Sequence, residues 1–281
     1  MADGAKRSQG LSLFAAISFA VGNMVGAGVF VLSGIVVNTA GPGALVSYLT
    51  CAVLVAFSAL SYATLASIIP GDGGGYLFAR RMLGKYPGFL AGWAMYISLV
   101  IASAFVLLGF GIYLNLMLGL SIDPRIFALV GLVLLTALNM RDVSEAGNFE
   151  IGLVVTKVII LAGLILFGIL YIRATDFTPF EPQGVFGVIR GIAMVYFAYL
   201  GFQVVALMGG EVKESSRNVP LAMLSAIAIV AAIYAGVIIA LLAAHLPSYG
   251  SESVFHAAVA LLGTYGGTIV AFGAVASTLS A

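Results

Sequence analysis

Gly22, Gly26 and Gly28 fall within Gly22-Asn-Met-Val-Gly-Ala-Gly-Val-Phe-Val-Leu-Ser-Gly34, near the middle of an apolar run long enough to cross a membrane. Each glycine weakens a helix by about 1 kcal/mol relative to alanine. A helix in lipid cannot open its backbone toward hydrocarbon, because every unpaired N–H or C=O costs several kcal/mol. It can open toward a buried polar ligand. A break here therefore predicts a site for a small polar solute near the bilayer centre. The Gly22–Gly26 spacing also fits plain close packing of helices. A second stretch, Met194-Val-Tyr-Phe-Ala-Tyr-Leu-Gly-Phe-Gln203, puts Gly201 and Gln203 inside another apolar span. Interrupted segments at corresponding positions of two halves, each opening a set of about five segments, are the pattern of a transporter site.

Lys157 offers different chemistry. Its segment, from Phe149 to Tyr171, is otherwise uncharged except for Glu150 at one end. Lys157 lies roughly 10–12 Å from that end at about 1.5 Å per residue, further than a lysine stem comfortably reaches. A charge at this depth costs about 3 kcal/mol and marks a functional position by default. The competing role is a lysine that reaches the surface and merely orients its helix. The 11 Asp and Glu residues all fall in loops or at segment ends. Backbone carbonyls and hydroxyls remain as partners, and those are the groups a broken helix exposes. Burial without a counter-charge disfavours the ammonium form, so this side chain can load and release a proton.

The elements that must position these residues are membrane helices. The chain is 62% hydrophobic and 8% charged, with a mean hydropathy of +1.16, whereas soluble domains carry about 25% charged residues. A net charge of +1 gives no footprint for nucleic acid. The lone Cys51 sits in an apolar segment and has no internal disulfide partner. The first apolar segment is too long for a cleavable signal peptide.

Eight segments are expected, over about 11–37, 43–69, 90–118, 126–140, 149–171, 188–208, 221–246 and 257–281. They read as one transmembrane domain, residues 1–281. Pro70-Gly-Asp-Gly-Gly-Gly75 forms a loop after the second segment, and Tyr76 to Pro87 reads as an amphipathic helix along the membrane surface. With the N-terminus inside, the inner face holds Lys6, Arg7, Arg80, Arg81, Lys85, Arg141, Lys213 and Arg217, against Arg125, Arg173 and Arg190 outside. That excess favours a cytoplasmic N-terminus. The eighth segment reaches Ala281 with no polar flank, so the expectation is a piece of a longer protein.

Other classes find little support. His-Glu-x-x-His, Gly-x-Ser-x-Gly, an intramembrane aspartate pair and the phosphate-cradling glycine loop are all missing from the sequence. His245 and His256 fall at segment ends, as interfacial residues rather than metal ligands. A retinal-type photoreceptor could use Lys157 as a Schiff base, but no carboxylate counter-ion lies at membrane depth. A channel, a non-transporting subunit or an inactive fragment stays open.

Gly22-Asn-Met-Val-Gly-Ala-Gly-Val-Phe30, Phe197-Ala-Tyr-Leu-Gly-Phe202 and Glu211-Val-Lys-Glu…Arg217-Asn-Val-Pro220 together resemble the amino acid–polyamine–organocation superfamily of transporters. Gly41-Pro-Gly and Pro70-Gly-Asp-Gly-Gly-Gly-Tyr76 match its second-segment borders. The resemblance covers essentially the whole chain. It implies an all-α, polytopic LeuT-type inverted repeat with discontinuous first and sixth segments. Segments 1–5, about 11–171, would form one repeat, and residues from about 188 to 281 an incomplete second one, cut within the eighth segment.

The resemblance also implies site roles. Amides of Gly26, Ala27 and Gly28 would hold the carboxylate of an amino acid. Carbonyls of Met24, Phe197, Ala198 and Leu200 would take its ammonium, with Asn23 beside the site, and Phe197 and Tyr199 would shape the pocket or gate it. Some proton-coupled members carry a lysine in segment five. Lys157 matches it, with the Gly22 carbonyl and a hydroxyl of Ser277 or Ser280 as partners. Gln203 stands where some members for cationic substrates carry glutamate, which favours neutral amino acids. The implied activity is secondary transport by alternating access, as proton symport or as exchange, with no covalent chemistry and no cofactor. The partners are an amino acid, a proton and the lipid of a cytoplasmic membrane, with no nucleic acid. The sequence is silent on oligomeric state.

Overall fold

The computed structural model describes residues 10–69, 73–140 and 146–280. The loop residues Pro70, Gly71 and Asp72 and the basic residues Lys6, Arg7 and Arg141 lie outside that set, as do the side chains of Glu150 and Ser280. Among the described residues the regular elements are helices, apart from one parallel bridge that pairs Leu11 with Val212. Six helical stretches of the described residues are long and apolar enough to cross a membrane, and Leu13–Met24 and Pro124–Ala137 are shorter apolar helices. The chain is an all-α, polytopic membrane protein.

The first expected segment is split. Helix α1 (Leu13–Met24) is followed by Val25 and Gly26, then by a π-helical turn, Gly28–Leu32, that runs into α2 (Ser33–Ala40). Gly41 (φ 60°) turns the chain into α3 (Ala44–Ile68). The surface helix α4 (Gly74–Leu83) ends at Gly84, where φ is 102°. That is earlier than the expected end at Pro87. Pro87 instead sits in the first turn of α5 (Lys85–Leu118), where a helix needs no N–H donor. Helix α6 (Pro124–Asn139) has 16 residues, about 24 Å of rise against a hydrocarbon core of about 30 Å, so it spans only if the bilayer thins or its ends are shielded.

Helix α7 (Ala146–Tyr171) carries Lys157, and α8 (Gly184–Tyr196) leads to the second interruption. That interruption is a tight 3-10 stretch, Phe197–Gln203, continued by the one-turn α9 (Val204–Leu207). Helix α10 (Ser215–Ala243) begins earlier than expected, because Glu214 adopts a left-handed conformation (φ 47°) that starts it five residues before Pro220. Helix α11 (Ser253–Ser280) holds the expected eighth segment and begins four residues earlier. Gly263 (φ 77°, ψ −177°) breaks it in two.

Helix α10 is the central post, packed on α3, α7 and α1. Helix α11 lies against α5 and α7, and α8 against α3 and α2. The buried core runs through these contacts, including Tyr48, Tyr199, Met223 and Tyr234. Large apolar side chains such as Phe57, Val133, Ile159 and Leu170 stay exposed, as expected where lipid is the solvent.

Candidate functional site

The two interruptions touch. A Cβ on Gly28 would lie 2.8 Å from the Ala198 Cβ and 3.0 Å from its Cα. A Cβ on Gly201 would lie 2.6 Å from the backbone of Asn23 and Met24. The sequence marked these glycines as helix-weakening. Their structural reason is also spatial, since each lets one broken segment lie against the other's main chain.

The hydrogen-bond pattern at the first break is open. The Val25 N–H still reaches the Val21 carbonyl at 2.8 Å, but the Gly26 N–H turns back to Met24 O at 2.9 Å instead of closing a helical turn. Tyr234, fully buried on α10, places its hydroxyl 2.6 Å from Met24 O and 2.9 Å from Ala198 O. One hydroxyl has one proton to donate, while each carbonyl has two lone pairs. Met24 O also accepts from the Gly26 N–H, so it has a lone pair to spare only when the tyrosine proton turns to Ala198 O. Tyr113 of α5 similarly donates to Phe30 O at 2.7 Å within the π turn.

Beside the breaks lies a cavity of about 910 Å³. Asn23, Met24, Gly26, Ala27 and Gly28 line it from the first interruption, and Phe197, Ala198, Leu200 and Gly201 from the second. Gln203, Ser98, Ser103 and Thr136 add polar groups, and among the described residues no acidic or basic side chain lines it. Phe197 is held edge-on by Phe105, with ring centroids 5.1 Å apart. Tyr199 does not line this cavity. Its position on the tight 3-10 stretch turns it into the core, where its hydroxyl donates to Tyr48 O at 3.3 Å and its ring meets Tyr234 at 5.1 Å.

On the other side of α1, Lys157 is fully buried and its Nζ donates to the Gly22 carbonyl at 2.7 Å. A Cβ on Gly22 would lie 2.6 Å from Val154 Cγ2, one turn before Lys157. Bare backbone at Gly22 is thus what lets α1 and α7 approach. Ser277 of α11 donates to the Val25 carbonyl at 2.5 Å. The ammonium and this hydroxyl hold carbonyls on either side of Met24, so α7 and α11 both grip the end of α1. Among the described residues no cluster of His, Cys, Asp and Glu could hold a metal ion.

Tyr234 is the site residue that sequence reasoning missed. A tyrosine in an apolar helix has no distinctive spacing, and its partners lie 210 and 36 residues away.

Residues 15–281 match the amino acid permease family. The chain is 34% identical over 245 residues to a methylthioribose transporter of Bacillus subtilis, covering 81% of this chain and 53% of that protein. It is 30% identical over 254 residues to the branched-chain amino acid permease BcaP of Lactococcus lactis, covering 82% and 55%. It is 30% identical over 253 residues to the chloroplastic cationic amino acid transporter 9 of Arabidopsis thaliana, covering 82% and 44%. The chain thus spans about half the length of these curated relatives.

Proposed function

The chain belongs to the amino acid permease family, and from that premise we propose that it forms the substrate-binding half of a secondary transporter for a neutral amino acid. The observation that carries this reading is one cavity lined by residues of both interruptions, glycines among them. A zwitterion presents one anion and one cation on adjacent atoms. Amides of Ala27 and Gly28, joined by that of Gly26 once it lets go of Met24 O, take the carboxylate, at the start of the π turn and α2, where helix N–H groups and dipole favour negative charge. Carbonyls of Met24, Phe197, Ala198 and Leu200 take the ammonium, with Asn23 adjacent. Tyr234 can donate to only one of Met24 O and Ala198 O at a time, and a three-donor cation can complete the pair.

Substrate charge follows from the walls. A cationic side chain in this cavity would find no carboxylate among the described residues, and Gln203 offers only an amide. An unpaired buried charge is costly, so neutral side chains are favoured over those of arginine and lysine. Branched-chain amino acids, named for the Lactococcus relative, fit this description.

Coupling runs through Lys157. With its proton, the ammonium holds Gly22 O and with it the end of α1. Without its proton, the neutral amine is a far weaker partner, and α1 is released to swing. Alternating access follows if α1 and the 3-10 stretch with α9 move against the α3, α5, α7 and α11 framework, as in a LeuT-type repeat. The N-terminus lies in the cytoplasm, and the membrane is the cytoplasmic one. Exchange of one amino acid for another is the second reading, since Lys157 can hold α1 without titrating. A thermal-shift screen of the proteinogenic amino acids and methylthioribose, at acidic and mildly alkaline pH, tests the proposal. Stabilisation by neutral amino acids, changing with pH, supports it. Stabilisation by arginine or methylthioribose alone rejects the substrate assignment.

A further inference from the structure

Helix α4 presents two unlike sides. Its inner side reaches the second interruption. Phe78 is 4% exposed and meets Tyr62 edge-on at 5.9 Å, and Tyr62 meets Phe202 edge-on at 5.9 Å within the 3-10 stretch. At the start of the same helix, a Cβ on Gly74 would lie 2.8 Å from Leu207 Cδ2 on α9. A continuous chain of packed side chains thus joins this helix to a lining element of the cavity.

Its outer side and the first turn of α5 are exposed and carry a run of cations beside apolar groups: Arg80, Arg81, Met82 and Leu83 on α4, Lys85 and Tyr86 on α5. Met82, Leu83 and Tyr86 are 63%, 70% and 72% exposed. Arg80 donates to Tyr76 Oη at 2.6 Å. Arg81 and Lys85 meet no acid among the described residues, where the ion pairs are His245 with Asp176 and Glu252 with His256. The sequence itself holds no acid between Asp72 and Asp123. Both helices flanking α4, α3 and α5, are long and apolar enough to cross a membrane, so α4 lies at a bilayer surface. Free cations interleaved with exposed apolar side chains at that level complement anionic headgroups above acyl chains.

We propose that the exposed corner where α4 ends and α5 begins is a docking site for anionic phospholipid, with Arg81 and Lys85 on headgroup phosphate and Met82, Leu83 and Tyr86 at the acyl boundary, and that Phe78 and Tyr62 relay this contact to Phe197–Gln203. Each cation near an anionic surface strengthens docking about fivefold, so the pair contributes about twenty- to thirtyfold. The relay ends at the site of the transport reading, but the readout below needs neither substrate nor transport and fails separately from it.

The test is amide hydrogen exchange of the chain in bilayer nanodiscs of phosphatidylcholine, with and without phosphatidylglycerol. Anionic lipid is expected to slow exchange across 74–86, by up to that factor, and also across 197–203. The Arg81→Gln, Lys85→Gln double variant exchanges alike in both bilayers, whereas Arg81→Lys retains the slowing. Equal exchange of the parent chain in both bilayers overturns the docking site, as does full slowing in the double variant. Slowing confined to 74–86 overturns the relay. Slowing reproduced in neutral discs by soluble glycerol phosphate overturns the membrane as the source of the phosphate.

Discussion

Gly201→Ala is the sharpest perturbation of the contact between the two interruptions. The added methyl carbon would sit 2.6 Å from the Asn23 carbonyl carbon and the Met24 nitrogen, and 2.8 Å from Asn23 Cβ. Comfortable contact for such atoms is about 3.5–4.0 Å, so the segments must part by roughly 1 Å. The nearest obstacles are main chain, so no rotamer change relieves them. Overpacking of this kind costs about 1–3 kcal/mol, and here the strain falls on the cavity walls. Neutral amino acid binding should weaken by about five- to 150-fold. Calorimetric titration of leucine into the parent and variant proteins measures this. Gly163→Ala is the control, since its methyl would meet nothing within 4 Å. It should leave binding intact and stability unchanged or raised by about 0.4–1 kcal/mol. Leucine binding by Gly201→Ala at parental affinity would refute the reasoning.

Three further outcomes follow from the same geometry. Lys157→Gln removes the ammonium donor to Gly22 O, so pH-dependent uptake into proteoliposomes should collapse. Undiminished pH-driven accumulation would reject Lys157 as the coupling group. Tyr234→Phe strips Met24 O and Ala198 O of a shared donor, at a cost of about 1–3 kcal/mol. The melting temperature and leucine affinity should both fall, and no change in either would remove the tyrosine from the account. At the loop end of α10, Asp176 accepts from the Arg173 N–H and lies 2.7 Å from His245 Nε2. Desolvation pushes its carboxyl upward, but these hydrogen bonds and the histidine outweigh it and hold it below the ordinary value of 3.8. A depressed folded-state pKa stabilises above the unfolded pKa, and the gain is lost as pH falls through the folded value. Melting profiles should show an acid-side loss of stability that shrinks in Asp176→Asn, and identical acid limbs would contradict this.

The legible parts were those with local signatures. The glycines at 22, 26 and 28 and the buried Lys157 were readable because clustered glycines weaken a helix and a charge is costly inside lipid. What they meet could not be read, since Gly28 faces Ala198 and Gly201 faces Asn23 only after folding. Tyr199 illustrates the limit. Its neighbours in sequence line the cavity, but the 3-10 twist of Phe197–Gln203 rotates it into the core, and hydropathy carries no information on that twist. Gly263 broke α11 without a flanking proline or charge to signal it. The starts of α5 and α10 shifted because left-handed Gly84 and Glu214, not the nearby prolines, set those boundaries.

The central claim is that bare main chain at two facing breaks holds both charges of a zwitterion. Titrating leucine, leucinamide and N-acetyl-leucine into the chain under identical conditions tests it most directly. Loss of one charge-assisted set of hydrogen bonds should weaken either derivative by at least about tenfold relative to leucine. Equal binding of leucine and leucinamide would contradict the role of the amides at Gly26, Ala27 and Gly28. Equal binding of N-acetyl-leucine would contradict that of the carbonyls at Met24, Phe197, Ala198 and Leu200.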